Sequence, residues 1–161
     1  MLLVSDLSTN PIDELLRKYC LSIELVPDGH SINGSFWGEP EAGLVGDRVY
    51  VRGDTPIHSL LHEVSHVVCM TLERRATLHG NAGGDNLEES AVCYLQIVLA
   101  DDLPGAGSAR IMQDMDDWGY SFRLGSTQRW FEEDAEDAQE WLLARNLLQA
   151  DKRPTFHLRQ S

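Results

Sequence analysis

A chain of 161 residues with 26 acidic and 13 basic side chains carries a formal charge of −13. That balance argues against nucleic acid and anionic membrane surfaces as partners, since both need clustered Lys and Arg. The opening MLLVSDL has no basic n-region, no run reaches the roughly 18 apolar residues of a membrane span, and three cysteines (Cys20, Cys69, Cys93) fit a reducing compartment. One cytoplasmic domain over residues 1–161 is the expectation.

In chain order, NPIDELLRKYC begins with Asn10 as a cap and Pro11 at the first helical position. Ile12, Leu15, Leu16 and Tyr19 then follow at helical spacing. LSIELVP (21–27) reads as a strand ended by Pro27, and DGHSINGSFWGEPEAG as a loop. LVGDRVYVR is a hairpin turning at Gly46-Asp47, with Val49 and Val51 on one face and Arg48, Tyr50 and Arg52 on the other. A helix follows with Thr55 as cap and Pro56 first, its buried stripe being Leu60, Leu61, Val64, Val67 and Val68. LHGNAGG breaks the pattern and DNLEESAVCYLQIVLA (85–100) restores it. SARIMQDMDDWG is a short amphipathic helix ending at Gly119, and a longer acidic helix is expected from about Thr127 to Ala150. The expected class is α+β: a short sheet or hairpin packed on a helical bundle.

HSLLHEVSHVVCM contains His62, Glu63 and His66 in a His-Glu-x-x-His pattern. Residues i and i+4 share a helix face, so both imidazoles can bind one zinc at about 2.0–2.1 Å. Glu63, one residue along, is a poor ligand but can reach a water on the metal. Two surface histidines are the plain alternative, yet this helix is bounded by apolar residues, and buried histidines need partners.

HEVSH followed by EESA resembles the HExxH zincin metallopeptidases, in their gluzincin pattern, over roughly residues 43 to 100. The order of hairpin, HExxH helix and glutamate helix is similar to that of small regulatory zincin peptidases. The resemblance implies a zincin-like domain and a zinc hydrolase whose metal is held by His62, His66 and a glutamate of the second helix. Glu88, three before Ala91, has the family spacing. The sequence departs from the pattern at Val92, where a carboxylate or carboxamide is expected, so another group must orient the histidines.

On its residues alone the third ligand stays open. Glu88 also fits a capping box with Asp85, Glu89 is the reserve as a first-turn carboxylate, and His79 and Asp85 stand behind them. His58, about 12 Å from His66 along the axis, reads as a first-turn surface histidine. Cys69 and Cys93 read as packing residues, EEDAEDAQE as a solvated face, and Trp118, Trp130 and Trp141 as core.

A zinc with three protein ligands keeps one position for water. Glu63 would take the proton from that water as it attacks a carbonyl, then pass it to the leaving nitrogen. Tyr120, His157 and Tyr94 are candidate donors to the oxyanion. A peptide or protein substrate would follow, and in zincins the sheet edge corresponding to Arg48–Arg52 often binds it by strand addition. Two His and one carboxylate also describe non-haem Fe(II) oxygenases, and the chain is similar as well to the elongation factor P hydroxylase family. A non-catalytic binding domain on the same scaffold is the third reading.

Overall fold

Seven α-helices and three strands follow one another in the computed structural model, which describes residues 1–161. Helix α1 (Thr9–Arg17) buries Ile12, Leu15 and Leu16 and leads into β1 (Ser22–Val26). Strands β2 (Gly43–Val45) and β3 (Arg48–Arg52) form the expected hairpin, with Gly46 at φ +60° in its turn. The sheet order is β1-β3-β2, with β1 parallel and β2 antiparallel to β3. The class is α+β, and no helix is long and apolar enough to cross a membrane.

This sheet corrects the strand-addition expectation. Arg48–Arg52 lies at the centre, hydrogen-bonded on both sides. The outer edge of β2 is also occupied. Leu44 donates its N–H to the Gly34 carbonyl and accepts from the Gly80 N–H, and Gly46 N–H reaches the Leu78 carbonyl. A Cβ on Gly34 would strike the Leu44 backbone and one on Gly43 the Asn33 carbonyl, so both glycines are required for the loop to lie this close. With its N–H and C=O groups already paired, β2 has none to offer a peptide. Val49 and Val51 face the core as expected, but Arg52 is buried too, held by Asp54, Glu39 and the His30 carbonyl.

Helix α2 (Ile57–Cys69) starts one residue later than expected, with Pro56 as its cap position. Thr55 does not cap it; its hydroxyl accepts from Arg52 N–H at the strand end. Every residue of α2 except His62 is buried. That corrects His58, expected at the surface: it is fully enclosed, with its ring against Trp118 and Tyr120. Burial pushes its imidazole down to about 4.

A short helix α3 (Leu72–Ala76) precedes α4 (Asn86–Ala100), whose cap is Asp85, accepting from Glu88 N–H at 2.8 Å. Helix α5 (Ser108–Trp118) stops at Gly119, left-handed at φ +110°. The long acidic helix is instead two, α6 (Thr127–Glu133) and α7 (Glu136–Ala144). The break falls at Asp134, whose carboxylate is held by Arg123 and whose backbone leaves helical geometry. The chain then turns at Asn146, left-handed at φ +58°. Trp130 and Trp141 are core as expected, whereas Trp118 is 40 % exposed.

Helix α2 and helix α4 run antiparallel, since His62 meets Gln96 while His66 meets Glu89. The last carbonyls of α2 have no intrahelical donors, and arginines supply them. Arg75 donates to the Val67 and Met70 carbonyls, and Arg159 to that of Cys69. Arg159 N–H reaches Val68, and its own carbonyl accepts from Arg75. The segment around Arg159 is thereby tied to the end of the HExxH helix.

Candidate metal site

The His62 ring is oriented by a chain of obligatory donors and acceptors. Gln96, fully buried on α4, donates its amide N–H to the His58 carbonyl at 2.8 Å. A carbonyl can only accept, so the Gln96 oxygen must be the atom facing His62 Nδ1, at 2.9 Å. Nδ1 therefore carries a proton, and in the neutral ring Nε2 presents a lone pair. That nitrogen lies 3.1 Å from His66 Nε2 and 3.1 Å from a Glu89 carboxylate oxygen. His66 Nε2 is 3.2 Å from the other Glu89 oxygen. Ligand atoms of these three residues all lie within 4.8 Å of one another.

Electron-rich atoms converging in this way need a positive charge among them. A proton supplies it in the protein alone. Burial works against protonating His62, but the polar groups around it, the Glu89 carboxylate at 3.1 Å being the one that carries a negative charge, outweigh burial and lift its pKa well above the usual imidazole value. Burial pushes the Glu89 carboxyl up, and the bonds from both histidines more than reverse this, holding it far below the usual carboxylate range. A divalent cation suits the same donor set, since two imidazoles and a carboxylate are ordinary ligands for it. His66 Nδ1 is buried without a partner.

Of the residues singled out in the sequence, the structure brings together His62, His66 and Glu89, with Glu63 beside them in the same cleft. It does not bring Glu88. Glu88 sits one residue round the helix, buried, receiving two bonds from Arg74 (2.8 and 2.7 Å) and one from Arg159 (3.1 Å). It does not complete the capping box either, because both oxygens are engaged by the arginines. Asp85 caps α4, and exposed His79 pairs through its backbone with Val45. The expected ligand Glu88 is thus replaced in position by Glu89. The physical reason is rotation: successive helical residues lie about 100° apart, and Glu89, Cys93 and Gln96 form the face turned to the histidines.

Glu63 is 7 % exposed and makes no hydrogen bond through its carboxylate. Burial raises its pKa, with His62 and His66 partly offsetting that. Among the three oxyanion candidates only Tyr120 is at the site. Its ring lies 5.9 Å from that of His62, its hydroxyl accepts from Gln96 Nε2 at 3.3 Å, and burial pushes its pKa up to about 12. Tyr94 instead stacks on Phe131, and His157 is bonded to Asn146 on the surface.

Sequence reasoning missed Gln96 and the siting of Cys93. Gln96 is the only amide or charge in the apolar run AVCYLQIVLA, and a lone polar side chain on a buried helix must find a partner. It supplies the orienting group absent at Val92, seven residues after Glu89 and on its face. Gln96→Leu should therefore lower metal affinity by roughly 10–100-fold, as losing a group that orients a ligand does. Competition against a chromophoric chelator measures this, and unchanged affinity would deny Gln96 that role. No family model, curated protein or solved structure matches the chain.

Proposed function

We propose that the protein is a metal-dependent hydrolase of peptide bonds, with zinc held by His62, His66 and Glu89 and with Glu63 as general base. The observation that carries this reading is the convergence of three donor residues at the wall of a cleft beside a buried, unpartnered carboxylate. Zinc in such a site supplies a Lewis acid and a water of lowered pKa. Glu63 lines both wings of the cleft, so it is placed to accept the proton of an attacking water and return it to the leaving nitrogen. Gln96 holds His62 in one tautomer. The Tyr120 hydroxyl stays protonated and is the side-chain donor at hand for the oxyanion that develops on the substrate.

Metal analysis of protein purified without added metal tests the first step. About one zinc per chain is expected, falling well below that in His62→Ala and His66→Ala, because each removes one of three ligands. Full occupancy in both variants would end the reading. Iron with oxygen consumption would move the protein to the non-haem oxygenases, which use the same donor set.

A further inference from the structure

The cleft has a second wing whose chemistry the hydrolytic step does not use. It encloses about 340 Å3 beside His62 and is walled by Trp37, Glu41, Ser59, Trp118 and Tyr120. Three carboxylates, Glu41, Glu63 and Glu89, face the cleft, and neither wing has a lysine or arginine in its lining. Two of these are accounted for, Glu89 with the histidines and Glu63 as the base. Glu41 is not.

The setting of Glu41 is specific. One of its oxygens accepts from Trp118 Nε1 at 3.0 Å, so the carboxylate is held at the edge of an indole. Trp118 is the last residue of α5, and the left-handed Gly119 turns the chain so that Trp118 and Tyr120 both reach the cleft. Trp37 stands at the junction of the two wings, 75 % exposed, its ring edge-on to Phe36 at 4.9 Å. Glu63, nine-tenths buried and without a bond of its own, opens into the same space. An oriented carboxylate in a wing lined by two tryptophans favours a cation with an apolar stem: the carboxylate takes the charge and the rings pack on the stem. An anionic group there would face the carboxylates of Glu41 and Glu63 with no lysine or arginine to offset them.

We infer that this wing is a subsite for a lysine or arginine side chain next to the scissile bond, with Glu41 pairing the cation and Trp37 and Trp118 flanking it. The assignment of a scissile bond rests on the hydrolase reading; the cation preference rests on the wing itself. The overall charge of −13 acts in the same direction, drawing basic peptides towards the protein.

Binding and cleavage test the two parts separately. Titration of the purified protein with N-acetyl-arginine amide and N-acetyl-norleucine amide, read by tryptophan fluorescence, should show a preference of about tenfold or more for the arginine probe. Glu41→Gln, which keeps shape and removes charge, should abolish the difference. Equal affinities, or a preference that survives Glu41→Gln, overturn the subsite. Tighter binding of leucine amide than of N-acetyl-arginine amide also overturns it, by placing an amino terminus in the wing. A degenerate peptide library incubated with the wild-type protein then separates the readings. Selective binding without cleavage keeps the subsite and ends the hydrolase reading, while cleavage indifferent to Lys and Arg keeps the hydrolase and removes the subsite.

Discussion

Glu63→Gln should keep its metal and its fold and lose turnover by about 10²–10⁴-fold, the usual contribution of a positioned general base. Glu63 makes no bond to either histidine or to Glu89, and glutamine fills the same volume, so neither ligands nor packing are disturbed. What disappears is the group that can hold the proton of water. The measurement pairs metal content and melting temperature with turnover of a peptide selected from the library. Full turnover with metal retained would remove Glu63 as the base. Loss of metal would make it part of the metal site, and the proton would need another carrier.

The second large effect separates neighbours. Glu88→Gln should retain metal and lose stability, whereas Glu89→Gln should lose metal and destabilise the metal-free fold less. Glu88 is a buried carboxylate between two guanidiniums, and removing one partner of such a cluster costs roughly 3–5 kcal/mol because the remaining charges are left uncompensated. Arg74 is 32 % exposed and can recover water, which argues for the lower end, about 3 kcal/mol. For a chain of this length that is a fall of about 6–12 °C in melting temperature. Glu89 is half-exposed, and its replacement unpairs no buried arginine. Calorimetry and metal analysis on both variants read the crossed pattern. Metal lost from Glu88→Gln with an unchanged melting temperature would return the ligand role to Glu88.

That crossing marks where the sequence was legible and where it was not. His62, Glu63 and His66 are readable because four-residue spacing on one helix needs no tertiary information. The hairpin at Gly46 and the ends of α4 and α5 are readable for the same reason: each is decided within a few residues. The choice between Glu88 and Glu89 depends on which face of α4 meets α2, and the spacing to Ala91 points to Glu88, which the structure turns to Arg74 and Arg159 and away from the histidines. A signal was present. From Glu88 the positions four and seven further on are Val92 and Leu95, while from Glu89 they are Cys93 and Gln96. His58 was misread because a first-turn histidine is usually exposed, and only the packing of Trp118 and Tyr120 encloses it. At the break Asp134 pairs with Arg123, which lies outside the acidic run that suggests one helix.

The arginine clasp on α2 bears on the order in which the molecule assembles. Helices α2 and α4 are separated only by the short α3 and its loops, so their docking, which brings the two histidines and Glu89 together, closes a much shorter stretch of chain. The bonds from Arg159 to Glu88 and to Cys69 close loops of 71 and 90 residues, and contacts that close long loops form late. Interactions made after the rate-limiting step slow unfolding and barely speed folding. Arg159→Ala is thus expected to speed unfolding and leave the folding rate nearly unchanged, which stopped-flow measurement of both rates checks.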